Sequence, residues 1–350
     1  MFESLSLGEG MTPVVRSRRI GPAAGLENLY FKLESLNPTG SYKDRFAAAA
    51  VNAMLKSGKR RVVASSSGNA GAALAAYCAA AGIVCQIAVV AGAPEGKLKQ
   101  MLAYGAQLWR IQDFGFDPQV TERVIEYLTF LGRAPDTELQ ISAYQHSPVG
   151  MAGVESISIE LIEQMSFIKK QIDHVFVCSG GGGLLLAVAR GFQKIIHSGS
   201  LKNGPRIHCV QPEGNNTIAG PLKQGAATAS PCERSTTEIT GLQVPSVIDG
   251  HEVVTACRFS GGTGFLVDDE TVYQLQARLA REEGIFCEPA AAVPLAGALQ
   301  ARKQGFIASE ETVICLVTGT GFKDPHAVDR MLPGSECPTV TLEEFQRQTT

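Results

Sequence analysis

Short β-branched runs alternate with alanine-rich helical stretches along nearly the whole chain, and that alternation leaves few folds open. Strand-like runs fall at Asn28–Leu33, Arg61–Ala64, Ile83–Val90, Leu108–Ile111, Asp173–Cys178, Arg206–Pro212 and Thr312–Thr318. Helical patterns fall between them, at Lys43–Ser57, Ala70–Ala81, Lys97–Tyr104, Thr121–Leu131, Gly153–Met165, Leu184–Ile196, Thr271–Gly284 and Ala290–Gln304. Strands joined through helices need crossover connections, so the chain is expected to be α/β with mostly parallel sheets. A loop is expected around Ala143–Val149. Residues 213–265, rich in Gly, Pro, Thr and Ser, predict irregular structure beside a site. There is no internal repeat and no low-complexity linker, so two intimately connected lobes fit better than separate beads.

Composition excludes several functions. Of the 350 residues, 45% are hydrophobic and 19% charged, enough to build a core and too little charge for a disordered chain. Basic residues (31) and acidic residues (34) nearly cancel, which gives no electrostatic footprint for nucleic acid or an anionic membrane. No apolar run approaches the roughly 18 residues that span a bilayer. The first residues lack the basic and apolar regions of a secretion signal. The nine cysteines show no pair at metal or redox spacing, so reduced thiols, no bound metal and a cytoplasmic location are expected.

Three local motifs carry chemistry. Val175-Phe-Val-Cys-Ser-Gly-Gly-Gly-Gly-Leu sets Gly180, Gly181, Gly182 and Gly183 between a buried strand and a helix. Backbone N–H groups bared in this way can converge on an anion, and the helix N-terminus adds partial positive charge. The anion expected is a phosphate; a plain tight turn is the alternative, and one glycine would serve it. A dinucleotide fingerprint fails because its last glycine is missing. A Walker loop fails because Gly92–Lys97 is too short and continues into Leu98.

Lys43 follows the rigid turn Asn37–Gly40 and opens an apolar helix. The helix dipole and the apolar run Phe46–Val51 both disfavour its charged form, and a neutral amine is what forms a Schiff base. The alternative is an ordinary surface lysine beside Asp44 and Arg45. Ser65-Ser-Ser-Gly-Asn-Ala-Gly offers hydroxyls, backbone donors and an amide just before a helix, a setting for a carboxylate or for simple N-capping. Phosphate loop, lysine and carboxylate loop together point to pyridoxal phosphate acting on an amino acid.

At that point the chain resembles the fold type II pyridoxal-phosphate enzymes, the tryptophan synthase β-like fold, and within them the threonine synthase family. The matching strings are LYFKLESLNPTGSYKDR, SSSGNAGAALAAYCAAAG, VCSGGGGL, REEGIFCEPAAAVPLAG and VTGTGFKD, in family order across nearly the whole chain. The resemblance implies a small lobe of about 45–142 inserted into a large cofactor-binding lobe made of 1–44 and 143–350. It implies that Lys43 carries the cofactor and later moves the substrate's α-proton. Asn69 would hydrogen-bond the cofactor's 3-oxygen, Ser66, Ser67 and Gly68 would hold the substrate carboxylate, and Gly180 to Gly183 would cradle the cofactor phosphate. Thr318 would meet the pyridine nitrogen, where a neutral hydroxyl favours elimination or replacement over transamination. Glu288 would face the site or cap a core helix.

Two departures matter. Where the family carries an arginine that grips the substrate phosphate, Ser147-Pro-Val-Gly-Met-Ala-Gly places Gly150. His146 and Arg234 are the residues that could compensate. Glu238-Ile-Thr-Gly-Leu-Gln-Val-Pro looks closer to the cysteine-synthase type. The expected reaction is therefore elimination and replacement on a small amino acid, O-phosphohomoserine to threonine and phosphate, in amino-acid biosynthesis. β-Replacement on O-phosphoserine or O-acetylserine, serine or threonine dehydration, and an inactive cofactor-binding regulator are the alternatives. A homodimer is expected because it is the commonest soluble assembly.

Overall fold

The computed structural model describes residues 4–93, 95–332, 334 and 337–349. Among them ten strands form two sheets. The strands are β1 (Val14–Arg16), β2 (Asn28–Lys32), β3 (Arg61–Ser65), β4 (Val84–Val89), β5 (Gln107–Arg110), β6 (Thr137–Gln140), β7 (His174–Cys178), β8 (Arg206–Pro212), β9 (Gly264–Val267) and β10 (Thr312–Leu316). The six-stranded sheet runs β1-β2-β10-β7-β8-β9 and is parallel except for β1, which pairs antiparallel with β2. The four-stranded sheet runs β5-β4-β3-β6, all parallel.

Helices over both faces explain the near-continuous apolar runs, since strands such as β2, β7 and β10 are buried at every residue. Inserting β10 between β2 and β7 sets the Thr318 turn beside the chain that leads into Lys43; the Tyr42 N–H donates to the Thr318 carbonyl at 3.1 Å.

The Lys43–Lys56 helix is held from two sides. The Pro148–Val154 helix lies against it so closely that a Cβ on Gly150 would come within 2.6 Å of the Phe46 ring. Beneath its first turn, Arg45 pairs with Glu34 (2.8 Å) and Glu160 (2.5 Å), and Lys32 completes the cluster with Glu160 at 2.6 Å. Two buried cations against two buried carboxylates leave no uncompensated charge. Arg45 is accordingly held above the ordinary guanidinium range, and the carboxyl of Glu160 falls to about 2. The surface-lysine alternative is corrected here: Asp44 and Arg45 are both buried, and Asp44 accepts from the Thr39 N–H and hydroxyl.

Other expectations are also corrected. The single helix over Gly153–Met165 is two, Pro148–Val154 and Ser156–Phe167, because the first makes its contact through glycines and leaves no large apolar period to read. Residues 213–265 contain helices Ala219–Lys223 and Gly250–Phe259 and the start of β9. No helix among the described residues is long and apolar enough to cross a membrane.

Candidate active site

β7 ends at Cys178, and the glycine loop turns directly into the helix Gly183–His197. Gly182 sits at φ +100°, open to glycine at little cost. Side chains on the loop would be crowded. A Cβ on Gly180 would lie 3.0 Å from Val244, one on Gly181 3.0 Å from Ile248, and one on Gly183 3.1 Å from an Asp249 carboxylate oxygen. The result is a cradle of bare backbone at a helix N-terminus, with the Ser179 hydroxyl buried and unpartnered beside it.

Lys43 faces this cradle across the cavity. Its ammonium donates to the Ser142 hydroxyl at 2.5 Å and stands 4.6 Å from the centre of the Tyr42 ring. Burial lowers its pKa from 10.5 to about 8, against the pull of Asp249, Cys178 and Glu288. Asp249 holds the loop that carries Ser142: its carboxylate accepts from the backbone N–H of Tyr144 (2.9 Å) and Gln145 (3.2 Å). Its own N–H donates to the Gly181 carbonyl.

The serine loop supplies the third wall. The Ser66 hydroxyl accepts from the N–H of Gly71 (2.8 Å), and that of Ser67 accepts from Val90 (3.0 Å), which leaves each hydroxyl proton free to donate. Asn69 opens the helix Asn69–Ala81 without capping it. Its amide donates to Glu288 at 2.8 Å, while its Oδ1 is buried without a partner. Glu288 occupies the N-cap position of the helix Pro289–Lys303 but makes no capping bond there; burial raises the pKa of its carboxyl. Thr318 is buried, its hydroxyl 3.9 Å from the Cys178 sulfur.

Lys43, Ser66, Ser67, Gly68, Asn69, Gly180 to Gly183, Glu288 and Thr318 thus line one cavity of about 330 Å³. Gly150, His146 and Arg234 do not line it. Gly150 faces Phe46, so a side chain there would collide with the Lys43–Lys56 helix. Ser142, Asp249 and Lys97 escaped the sequence reading, since each arrives from a loop or helix with no motif of its own. A larger groove of about 1,030 Å³, on the side of the four-stranded sheet under Pro118–Leu131, holds none of these reactive groups.

A phosphorylated aromatic aldehyde fits the donors present. The glycine cradle matches a phosphate, the lowered amine of Lys43 matches a carbonyl, and Asn69 Oδ1 and the Ser179 hydroxyl are buried polar atoms still awaiting partners. The volume suits a small ligand.

Comparison with known proteins agrees. The family model described as "Pyridoxal-phosphate dependent enzyme" matches residues 5–319. The threonine synthase of Methanosarcina acetivorans is 33% identical over 327 residues, 93% of this chain and 78% of the relative. That of Methanocaldococcus jannaschii is 31% identical over the same coverage. Among solved structures, an L-serine ammonia-lyase from Rhizomucor miehei superposes with a TM-score of 0.75 at 20% identity, covering 93% of this chain and 98% of that one, which speaks for the fold alone.

Proposed function

The chain belongs to the pyridoxal-phosphate dependent enzyme family and uses that cofactor, and from this we propose that it is a threonine-synthase-like lyase converting O-phosphohomoserine and water to threonine and phosphate. The observation that carries the reading is the lowered amine of Lys43 opposite the glycine cradle in one cavity. When bound, the cofactor supplies an electron sink for charge that develops at the substrate's α-carbon. Lys43 anchors it and then, as a free amine, moves the α-proton; an amine of pKa about 8 accepts and returns protons near neutral pH. Ser142 orients that amine. Ser66, Ser67 and Gly68 would hold the substrate carboxylate, Gly180 to Gly183 the cofactor phosphate, Asn69 with Glu288 the ring's 3-oxygen, and Thr318 its nitrogen.

A second reading, β-replacement on O-phosphoserine or O-acetylserine, is favoured by the wall that Gly241, Leu242 and Val244 build on the cavity, within the segment resembling the cysteine-synthase type. Purified holoenzyme assayed with O-phosphohomoserine, O-phosphoserine, O-acetylserine, serine and threonine separates the two. Threonine and phosphate from O-phosphohomoserine are expected; pyruvate or a replacement product from a serine ester alone would overturn the main reading. The proposal extends to a cytoplasmic homodimer of two-lobed protomers, with residues 45–142 as the smaller lobe. Sedimentation at the mass of the 37.1 kDa chain rather than twice that value would refute the dimer.

A further inference from the structure

The four-stranded sheet is covered unevenly on its two faces. Alternate residues point to opposite sides of a strand. Val62 and Ala64 pack inward with Leu74 and Met101, whereas Val63 and Ala88 pack outward with Leu128. The inner face carries two helices, Asn69–Ala81 over β3 and β4 and Glu95–Ala103 over β5. On the outer face the helix Pro118–Leu131 packs over β3 and β6. Four strands about 4.8 Å apart make a face about two helices wide, and a parallel sheet is ordinarily buried on both sides. The β4–β5 half of the outer face is instead the groove of about 1,030 Å³. Its walls include the half-exposed Trp109, in register beside Ala88, and the exposed rings of Tyr127 and Phe130.

The chain also carries a helix without a core. Leu342–Thr349 buries none of its residues, yet its start is fully built. The Thr341 hydroxyl accepts from the Glu344 N–H (3.2 Å), and the Glu344 carboxylate accepts from the Thr341 N–H (2.7 Å), a reciprocal cap. Eight residues are too few to hold a helix in water by propensity alone, so an apolar surface must support it. Leu342 and Phe345, three apart, give it one exposed apolar face. At about 1.5 Å per residue it is about 12 Å long, against about 21 Å for Pro118–Leu131 beside the groove, so it fits the open half of the sheet. Charge matches as well. Arg61, Arg123 and Glu126 line the groove, and none of them is in an ion pair among the described residues. The helix offers Glu343 and Arg347, one turn apart on one flank and likewise outside any ion pair among the described residues.

We propose that this groove receives the helix Leu342–Thr349 of a second copy of the chain. Leu342 and Phe345 pack against Trp109, Tyr127 and Phe130, with Glu343 toward Arg123 and Arg347 toward Glu126. Within one chain the helix lines no part of the groove, so the two surfaces meet between copies. Each copy carries both surfaces, so two chains exchange helices reciprocally and the contact closes at a dimer. The inference rests on the homodimer proposed above and assigns it a contact surface on the four-stranded sheet.

Trp109 is the chain's single tryptophan, so its emission reads the groove directly. The test compares full-length holoenzyme with holoenzyme ending at residue 338, by sedimentation equilibrium and by fluorescence across a dilution series. The truncated chain, its cofactor absorption matching wild type, should dissociate tenfold or more readily, with Trp109 emission moved to the red. A peptide of residues 339–350 added to it should return the emission to the blue and saturate. Arg123→Glu and Glu343→Arg should each weaken the full-length dimer, and the two together should restore it in part. A truncated chain that dimerises as tightly as the full one, with Trp109 emission unchanged, overturns the contact and leaves the homodimer standing. A full-length monomer whose Trp109 emission is already blue and independent of concentration would place the helix in its own groove; that overturns the second copy as occupant and the homodimer with it.

Discussion

Lys43 is useful only if it can lose its proton, and its surroundings decide that. With a pKa of about 8 instead of 10.5, about one amine in ten is neutral at pH 7, against about one in three thousand for an ordinary lysine. The rate at which apoprotein takes up pyridoxal phosphate, followed by visible absorbance, should therefore rise with pH and level off above about 8. A rate still climbing steeply beyond pH 9.5 would mean that burial does not depress the amine. Ser142→Ala should slow this uptake without abolishing it, since the hydroxyl orients the amine but does not react. The lysine was legible in the sequence because turn, lysine and apolar helix are contiguous. Ser142 was not: it lies 99 residues away, and only the folded chain sets it 2.5 Å from the amine. Gly150 was legible as a departure, but its contact with Phe46 was not. Because a Cβ there meets Phe46, Gly150→Ala should cost about 1–3 kcal/mol in urea unfolding with cofactor chemistry intact.

Neighbouring strands β7 and β8 put two histidines side by side in the core, His174 Nδ1 and His208 Nε2 being 2.9 Å apart. The Thr263 N–H donates to His208 Nδ1 at 3.1 Å, so His208 carries its proton on Nε2 and donates it to His174. His174 then turns its Nε2–H toward Glu311, 3.3 Å away. A second proton on either ring would break the chain of bonds. Burial lowers His174 and brings His208 down to about 3. The unfolded chain binds protons at about 6.5 while the folded one refuses them, so stability is full above that pH and falls as pH drops toward 3. For His208 alone the contribution falls by about 1.6 kcal/mol between pH 6.5 and 5; the Asp44 carboxyl, pushed up by burial to about 6, takes its proton in the same window and acts with the opposite sign. Urea midpoints compared between wild type and His208→Leu across that window should isolate the His208 share; an equal slope in the variant would assign the effect elsewhere. The strand rhythm gave these elements away, but no local pattern marks two histidines as neighbours across a ladder. The three-residue β1 and the four-residue β6 and β9 were missed, whereas the equally short β5 was found through its apolar Leu108 and Trp109.

The chain crosses between the sheets twice, once after β2 through the Lys43 helix and once after β6 through Ser142, and those two crossings are joined by the Lys43–Ser142 bond. The Lys43 amine thus sits where the chain passes between the two sheets. Away from the crossings, polar contacts among the described residues that bridge the halves include Asn69 to Glu288, Tyr77 to Glu9, Lys97 to Thr240, and Gln100 to Lys323. Gln100 also donates to the Thr39 carbonyl at 3.1 Å, so its side chain is a strut between the Glu95–Ala103 helix and the turn before Lys43. A division near 45 and 142 was expected only from family resemblance, because no change of composition marks a boundary when both halves share one alternation. If the division is real, removing struts should loosen one half against the other without unfolding either. Hydrogen exchange on Gln100→Ala should then show faster exchange in the Glu95–Ala103 helix and the Ser65–Asn69 loop, with β7, β8 and β10 as protected as before. Loss of protection spread evenly over both sheets would mean that they unfold as one body, and the two-lobed plan would have to be given up.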